Sequence, residues 1–260
     1  MPKRLKIVIA YDGAAFEGWQ SQLHRKTVQD RLEEAFRRIT GAELRVHGAG
    51  RTDSGAHALA QCAHVDLPDG RLSATDYQAA LNANLPPGIR ILRARYVTKN
   101  FHARFSATGK VYQYRIWAGP ILPPHEFRRA WHVTAPVDFD VLKKAAKQFL
   151  GRHDFRAFAA NRGKPHRRRA NPLSHDGLKD ETTRTIRSVR LRRRGPRITI
   201  DFDGDGFLYR MVRLMVGTII DAGKGRISVT DIGESLSSGK SIGRRFAAPA
   251  DGLFLVRVWY

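Results

Sequence analysis

The chain has 260 residues and a formal net charge of +22, from 46 Lys and Arg against 24 Asp and Glu. This excess favours a polyanionic partner, and nucleic acid fits better than an acidic membrane because the sequence shows no basic amphipathic helix with a broad apolar face. The single cysteine, Cys62, excludes an internal disulfide and indicates a reducing compartment.

The sequence also carries no signal for membrane insertion or secretion. No segment approaches the roughly 20 consecutive apolar residues that span a bilayer. The apolar run behind Lys6 ends at Asp12, which is too short for a secretory signal. We therefore expect a soluble, cytoplasmic protein with no membrane partner.

Hydrophobic patterning predicts alternating strands and helices in the first half of the chain. A strand is predicted over 6–11, and Thr27 caps a helix that runs to about residue 40 and ends at Gly41. Further elements are predicted as strands over 59–67, 89–98 and 110–118 and as a helix over 75–84. In the strand over 110–118, Tyr112, Tyr114 and Ile116 share one face.

The second half continues with a helix that Asp138 caps and that extends to about residue 150. A strand over 197–202, a helix over 207–222 and a strand over 253–260 follow. Because strands and helices mix without a regular βαβ rhythm, the expected fold class is α+β.

Residues 7–16 and 198–207 share one pattern: a strand, an aromatic-Asp-Gly turn and then a phenylalanine. Duplication of an α/β half explains this, and so does chance similarity between two strand-turn units. Duplication predicts two related lobes, 1–105 and 106–260.

Part of the charge is concentrated in one segment. Residues 162–194 hold twelve Lys and Arg against three Asp and Glu, which is +9 of the total +22. Pro, Asn, Gly and Ser interrupt the middle of this segment and predict a loop. Contact with phosphate and plain solvation are both open for this basic loop.

The segment Gly50–His57 places the Asp53 carboxylate in a glycine-bounded loop beside Arg51. The surrounding positive charge favours the ionised form of an acid. Asp53 could serve as a nucleophile or only shape an Asx-turn. The run Asp53-Ser54-Gly55 also matches the turn of an aspartic protease, but that chemistry needs two carboxylates that share a proton, and the chain has one copy.

Metal and nucleotide motifs fail in detail. Asp201–Gly206 begins like an EF-hand loop, but the twelfth position is Val212 and not glutamate. Gly239-Lys240-Ser241 matches only the end of a phosphate-binding loop. The histidines at 47, 57, 64 and 102 lack the spacing and the cysteine partners of a zinc site. No metal site is predicted.

The segment Gly48–Ala58 closely resembles the active-site signature of the tRNA pseudouridine synthase A family. Other segments similar to family motifs follow in the same order: Tyr11-Asp12-Gly13, Phe16 and Gly18-Trp19-Gln20; Thr27-Val28-Gln29 with Leu32-Glu33; Phe101–Ala107 with Tyr112-Gln113-Tyr114; Gly206-Phe207-Leu208 with Met211-Val212-Arg213 and Gly217-Thr218; Ala248-Pro249 with Gly252-Leu253. Together they cover most of the chain. This sequence departs from the family pattern at Ala56, where valine is usual, and at Lys110, where arginine is common. Residues 162–183 are longer than the usual connection, so they are expected to be a basic insertion in the second lobe.

The resemblance implies a pseudouridine synthase fold, with two related α/β lobes and a mixed, mainly antiparallel sheet around a basic cleft. It implies a homodimeric isomerase that converts uridine to pseudouridine at positions 38, 39 and 40 of tRNA, in the anticodon stem-loop, without a cofactor. A non-catalytic RNA-binding module and, less in keeping with the motifs, an aspartic protease are the alternative functions.

The resemblance also implies roles for single residues. Asp53 is expected to be the nucleophile, since a carboxylate can attack an electron-poor carbon of the sugar or of the base. Tyr112 is expected to stack on the target base and to assist deprotonation, although a half-buried tyrosine is common in a sheet. Arg213 lies in an apolar helix, where it is expected to pair with Asp53 or else to reach solvent.

Two further residues are assigned to substrate binding. Arg51 is expected to hold the flipped nucleotide or to fill its place in the stack, with a plain phosphate contact as the alternative. Thr52 is expected to shape the loop that binds the substrate.

Overall fold

The structure is a computed structural model that describes residues 3–68, 70–160, 182–243 and 246–260. The chain folds into two compact units. The first comprises 1–113, 124–131 and 250–260, and the second comprises 114–123 and 132–249. Most of the predicted basic insertion, residues 162–181, lies outside the described residues. The division into related lobes 1–105 and 106–260 stays a prediction.

Strands and helices alternate irregularly along the chain. The strands are β1 (Lys3–Tyr11), β2 (His47–Gly48), β3 (His57–Leu67), β4 (Ile89–Val97), β5 (Gly109–Trp117), β6 (Trp131–His132), β7 (Gly151–Asp154), β8 (Thr183–Arg194), β9 (Arg197–Gly204) and β10 (Leu253–Trp259). The helices are α1 (Val28–Thr40), α2 (Ala74–Asn84), α3 (Phe139–Lys147), α4 (Met211–Gly223) and α5 (Val229–Ser238). The predicted α+β class is confirmed.

Helix α1 shows why local sequence sets its ends. The Thr27 side chain accepts from the Asp30 backbone N–H, and the Asp30 side chain accepts from Thr27, which forms a capping box. Gly41 ends the helix in the left-handed conformation, with φ +73°. The predicted start and end of α1 are confirmed.

In the first unit the strand order is β4-β1-β3-β10, and β2 pairs with β3. Strand β1 is antiparallel to β3 and β4, whereas β10 runs parallel to β3. Leu5, Ile7 and Ile9 on one face of β1 are fully buried. Burial of each such side chain stabilises the fold by about 1.5–3 kcal/mol. This sheet fixes the ends of β1 and β3, where the candidate site lies.

The second unit contains an antiparallel sheet with the order β9-β8-β7. Helix α4 has almost all of its side chains buried, and α3 packs closely against it, since a Cβ atom added at Gly223 would lie 2.3 Å from Leu142. Among the described residues, no helix is long and apolar enough to cross a membrane.

Five predicted boundaries differ from the structure by two residues or more. Strand β1 begins at Lys3 and not at Lys6, and β3 begins at His57 and not at Leu59. Helix α3 ends at Lys147 and not near residue 150. Helix α4 begins at Met211 and not at Phe207, because Arg210 has a left-handed backbone with φ +58° that cannot continue into a helix. Strand β9 extends to Gly204, two residues beyond the prediction.

Candidate functional site

The Asp53 loop, residues 49–56, connects β2 to β3. The Ala56 backbone N–H donates to the Asp53 carbonyl at 3.1 Å and closes a turn. Gly55 follows with φ +82°, a conformation that glycine adopts without strain. Asp53 is partly buried. The loop thus presents one carboxylate from a turn that its own sequence favours.

The segment that follows β1 holds this loop from one side. A Cβ atom at Gly13 would lie 2.0 Å from the Ala56 carbonyl oxygen, and one at Gly18 would lie 2.8 Å from the Thr52 carbonyl oxygen. The Trp19 backbone N–H donates to the same Thr52 oxygen at 3.2 Å. Because these contacts are between backbones, side chains at positions 13 and 18 would push the loop away.

Thr52 is buried and turned into the first unit. Its Oγ1 lies 2.8 Å from the Tyr11 hydroxyl, in a buried hydrogen bond. Burial raises the pKa of Tyr11 to about 12, so the phenol is neutral at physiological pH. Gln61 Nε2 donates to the Gly50 carbonyl at 3.0 Å on the same loop. The loop is thus bonded to β1 through Thr52 and to β3 through Gly50, and the role expected for Thr52 in substrate binding stays a prediction.

His57, the first residue of β3, links the loop to distant parts of the first unit. Its Nδ1 accepts from the Gly13 N–H at 3.1 Å, and its Nε2 donates to the carbonyls of Arg128 at 2.9 Å and Asp251 at 3.1 Å. The ring stacks on Phe254 with a centroid distance of 4.4 Å. Burial lowers the pKa of His57, which agrees with a neutral ring protonated on Nε2.

The sequence placed His57 in the family signature and excluded it from a zinc site, but it did not predict these hydrogen bonds. Its partners lie 44, 71 and 194 positions away along the chain. The only local signal was the place of His57 directly after the loop.

Asp12, at the end of β1, also contacts a distant segment of the first unit. Its Oδ2 lies 2.5 Å from the Arg129 guanidinium, and its Oδ1 accepts from the Ala14 N–H at 3.1 Å. Oδ1 also lies 3.1 Å from His57 Nδ1, but with a neutral ring this approach carries no ion pair. Since Arg129 and Asp12 are partly exposed, their pair adds little stability and chiefly orients the turn after β1.

Tyr112 lies on β5, with 8% of its surface exposed. Tyr114 and Ile116 are also buried, so the predicted shared face of this strand is confirmed. The pKa of Tyr112 is raised, first by burial and then by the proximity of Tyr11 and Asp53. The structure therefore places Tyr112 near enough to Asp53 for the carboxylate to disfavour a negatively charged tyrosinate, and the phenol stays protonated.

Two cations flank the loop. Arg51 is exposed. Lys110 approaches from β5, because a Cβ atom at Gly50 would lie 3.4 Å from its Cε and Nζ atoms. Lys110 thus places a positive charge beside the loop at the position where the resemblance leads one to expect arginine.

Arg213 lies on α4 in the second unit and is half-buried. Its Nε donates to the Ala248 carbonyl at 2.7 Å, and its own carbonyl accepts from the Ala248 N–H at 3.0 Å. The neighbouring Pro249 carbonyl accepts from the Tyr114 hydroxyl at 2.6 Å. Because Arg213 and Asp53 belong to different units, their pairing stays a prediction.

The acidic run Asp201–Asp205 is occupied by protein partners. Asp201 pairs with Arg192, Asp203 with Arg187 at 2.8 Å, and Asp205 accepts from the Thr185 N–H at 3.0 Å. Within the described ranges, no group of three or more His, Cys, Asp or Glu residues is placed to hold a metal ion. Gly239, from the incomplete phosphate-loop match, ends α5 with φ +71°.

Comparison with known proteins assigns the family. A family model described as tRNA pseudouridine synthase matches residues 7–106 and 145–260, which include Asp53 and Arg213 but not Tyr112. Proteins named tRNA pseudouridine synthase A are 44% identical in Akkermansia muciniphila, 39% in Methylacidiphilum infernorum and 38% in Acetivibrio thermocellus. These alignments cover 98–99% of this chain and 94–100% of each relative. The chain belongs to the tRNA pseudouridine synthase family, and the resemblance seen in the sequence is confirmed.

A solved structure of a Cbf5-Nop10-Gar1 complex aligns with 96% of this chain and 48% of its own. The TM-score is 0.36 at 11% identity, which is too low to support an argument about the fold.

Proposed function

We propose that this protein isomerises uridine to pseudouridine in the anticodon stem-loop of tRNA, with Asp53 as the nucleophile. The family match across the Asp53 loop carries the proposal. The net charge of +22 supports a polyanionic substrate, and the names of the relatives specify tRNA. By the same family relation we propose a cytoplasmic homodimer that needs no cofactor.

The reaction replaces the C1′–N1 bond of uridine with a C1′–C5 bond. C5 loses a proton and N1 gains one, so the product is an isomer and no electrons are transferred. Asp53 can form a covalent intermediate at an electron-poor carbon of the sugar or of the base, which divides one difficult step into two. The base must stay in the site while it rotates, since a detached uracil would be lost to solvent.

Tyr112 is proposed to hold the base by stacking. Its raised pKa keeps the phenol protonated at neutral pH, so little phenolate is present to accept a proton, which favours the stacking role over the predicted assistance in deprotonation. The neutral ring also adds no negative charge beside Asp53. Stacking on an aromatic ring contributes about 1–3 kcal/mol per base.

Arg51 and Arg213 are proposed to act on charge. Arg51 is exposed and adjacent to Asp53 in sequence, so it is suited to hold a flipped nucleotide or its phosphate. Arg213 is proposed to pair with Asp53, because a half-buried guanidinium in an apolar helix is stabilised by a counter-charge.

The test is to incubate an unmodified tRNA transcript with wild type and with Asp53→Asn, and to map pseudouridine by mass spectrometry. Asparagine keeps the shape of the turn but removes the charged nucleophile, so we expect no pseudouridine. The neighbouring Ser54→Ala variant is the control and is expected to keep its activity. Equal yields from wild type and Asp53→Asn would refute the nucleophile assignment. Binding of tRNA by wild type without any pseudouridine would instead favour the RNA-binding module.

A further inference from the structure

A cluster of cations lies on the face of the β1–β4 sheet opposite to Ile7. Lys6 is paired with Arg95 and Val8 with Arg93, and paired residues point to the same face. This register depends on a β-bulge between the pairs of Val8 and Ile9.

The bulge determines which side chains meet. Without the extra residue Leu92, Lys6 would be opposite Ala94, and both arginines would point to the other face. The three cations are thus brought together by a specific irregularity of β4. They line an open cavity of about 450 Å³ whose walls are Lys6, Val8, Gln78, Arg93, Ala94 and Arg95.

Lys6 is only 7% exposed. Its Nζ atom lies 3.5 Å from the ring centroid of Tyr260 and 4.5 Å from that of Phe101. No ion pair among the described residues includes Lys6, Arg93 or Arg95. Within the described part of the chain, the cavity is therefore lined by three cations that form no salt bridge.

Arg4, two residues before Lys6 on the same face of β1, has a carboxylate partner, whereas Lys6 has none among the described residues. The Nε and Nη2 atoms of Arg4 donate to the two carboxylate oxygens of Asp66, each at 2.7 Å. A buried ammonium without such a partner is costly, because burial removes its hydration. Burial lowers the pKa of Lys6, and the neighbouring Arg95 lowers it further against an opposing effect of Cys62. An anion bound in the cavity would relieve both the desolvation and the repulsion.

We propose that Lys6, Arg93 and Arg95 form a phosphate-binding site that holds a backbone phosphate of the bound tRNA. The choice of tRNA rests on the proposed function, whereas phosphate follows from the side chains. Guanidinium groups bind phosphate oxygens through paired N–H donors, and the ammonium of Lys6 adds a point charge at the wall of the cavity. A free phosphate ion has the same chemistry and is the other possible source.

The site is separate from the Asp53 loop. His64, the β3 partner of Lys6, lies seven residues after His57, which corresponds to roughly 20 Å along a strand. A phosphate held there belongs to a nucleotide other than the target, so the site would orient the RNA and leave the chemical step alone.

The decisive variant is Arg93→Gln/Arg95→Gln, since both side chains are exposed and their loss should leave the fold intact. Lys6→Met is the second variant. The control, Arg37→Gln/Arg38→Gln, removes the same charge from α1, where the guanidinium groups pair with Glu43 and Glu34. Affinity for unmodified tRNA is measured over a range of salt concentrations. We expect roughly tenfold weaker binding and a salt slope reduced by about one to two, with little change in the control.

A second measurement separates the two sources of phosphate. Inorganic phosphate, compared with chloride at equal ionic strength, should raise the melting temperature of wild type but not of Arg93→Gln/Arg95→Gln. If phosphate stabilises only wild type and tRNA affinity is unchanged, the site takes free phosphate and the RNA assignment is overturned. If neither measurement responds, or if the control loses as much affinity, there is no phosphate site here.

Measuring the pseudouridine yield distinguishes a failure of the phosphate site from a failure of the proposed enzyme activity. At saturating tRNA, Arg93→Gln/Arg95→Gln should still form pseudouridine. Absence of pseudouridine with wild type contradicts the enzyme assignment, whereas an active variant with unchanged tRNA binding contradicts only the assignment of a tRNA phosphate to this site.

Discussion

The buried imidazole of His64 predicts that the protein loses stability in mild acid. His64 is 1% exposed on β3, and its Nδ1 accepts from the Ala103 N–H at 3.1 Å, which requires a neutral ring. Its pKa is lowered from 6.5 to about 4, first by burial and then by the charges of Arg4, His102 and His47, with Asp66 opposing.

The two pKa values of His64 set the direction and the size of the change in stability. Between pH 6.5 and about 4 the unfolded chain binds a proton at His64 that the folded protein does not bind, so the free energy of unfolding falls as the pH falls. Each unit of pKa displacement corresponds to about 1.4 kcal/mol, and the total loss is therefore about 3 kcal/mol. Well above pH 6.5 the imidazole is neutral in both states, and His64 makes no pH-dependent contribution there.

The assay is urea unfolding, followed by tryptophan fluorescence, from about pH 7.5 down to about pH 4.5. His64→Asn keeps an acceptor for the Ala103 N–H but cannot be protonated, so its stability should fall less with acid than that of wild type. His47→Asn removes a neighbouring exposed ring whose charge is the smallest of those that lower the pKa of His64, so it should alter the dependence on pH less than His64→Asn does. If His64→Asn lost stability in parallel with wild type, the acid sensitivity would have another origin and the reasoning about His64 would be wrong.

Two further predictions concern the Asp53 loop. Gly18→Ala should lower the free energy of unfolding by more than Gly41→Ala does. Both glycines have positive φ, where an alanine costs about 1 kcal/mol. A Cβ atom at Gly18 also meets the Thr52 carbonyl oxygen, which adds about 1–3 kcal/mol. Urea unfolding of the two variants measures the difference, and equal losses would show that the loop moves freely. Tyr112→Phe should retain most of the rate of pseudouridine formation, whereas Tyr112→Ala should lose about five- to 150-fold, since stacking needs the ring and not the hydroxyl. Initial rates at saturating tRNA provide the comparison, and equally low rates for both variants would assign the phenol oxygen an essential part.

The elements that the sequence predicted well are those whose signals are local. Thr27, Asp30 and Gly41 lie within one helix length of each other, and together they define α1. The Asp53 signature is likewise contiguous, so the family and the candidate nucleophile were visible without a structure. The alternation of aromatic residues along β5 is also a local pattern, and it predicted the strand that contains Tyr112.

The features that the sequence did not predict depend on register or on distant partners. Strand β8 has only one buried side chain, Ile186, so its arginines gave no apolar alternation and suggested charge clusters instead. Lys6, Arg93 and Arg95 share one face of the sheet because of a single-residue bulge, which no local sequence pattern predicts. The carbonyl partners of His57 come from segments far along the chain, which a motif cannot contain.

The hydrogen bond between Tyr11 and Thr52 has a consequence for the order of folding. The two residues are 41 positions apart, and Ser54 reaches Phe16 across 38 positions. Contacts of this sequence separation form only after the entropy of closing the intervening chain has been overcome. The signature is continuous along the chain, but its shape is a long-range structure: a peptide cut from residues 48–58 would contain every residue of the motif and lack the geometry that makes Asp53 useful.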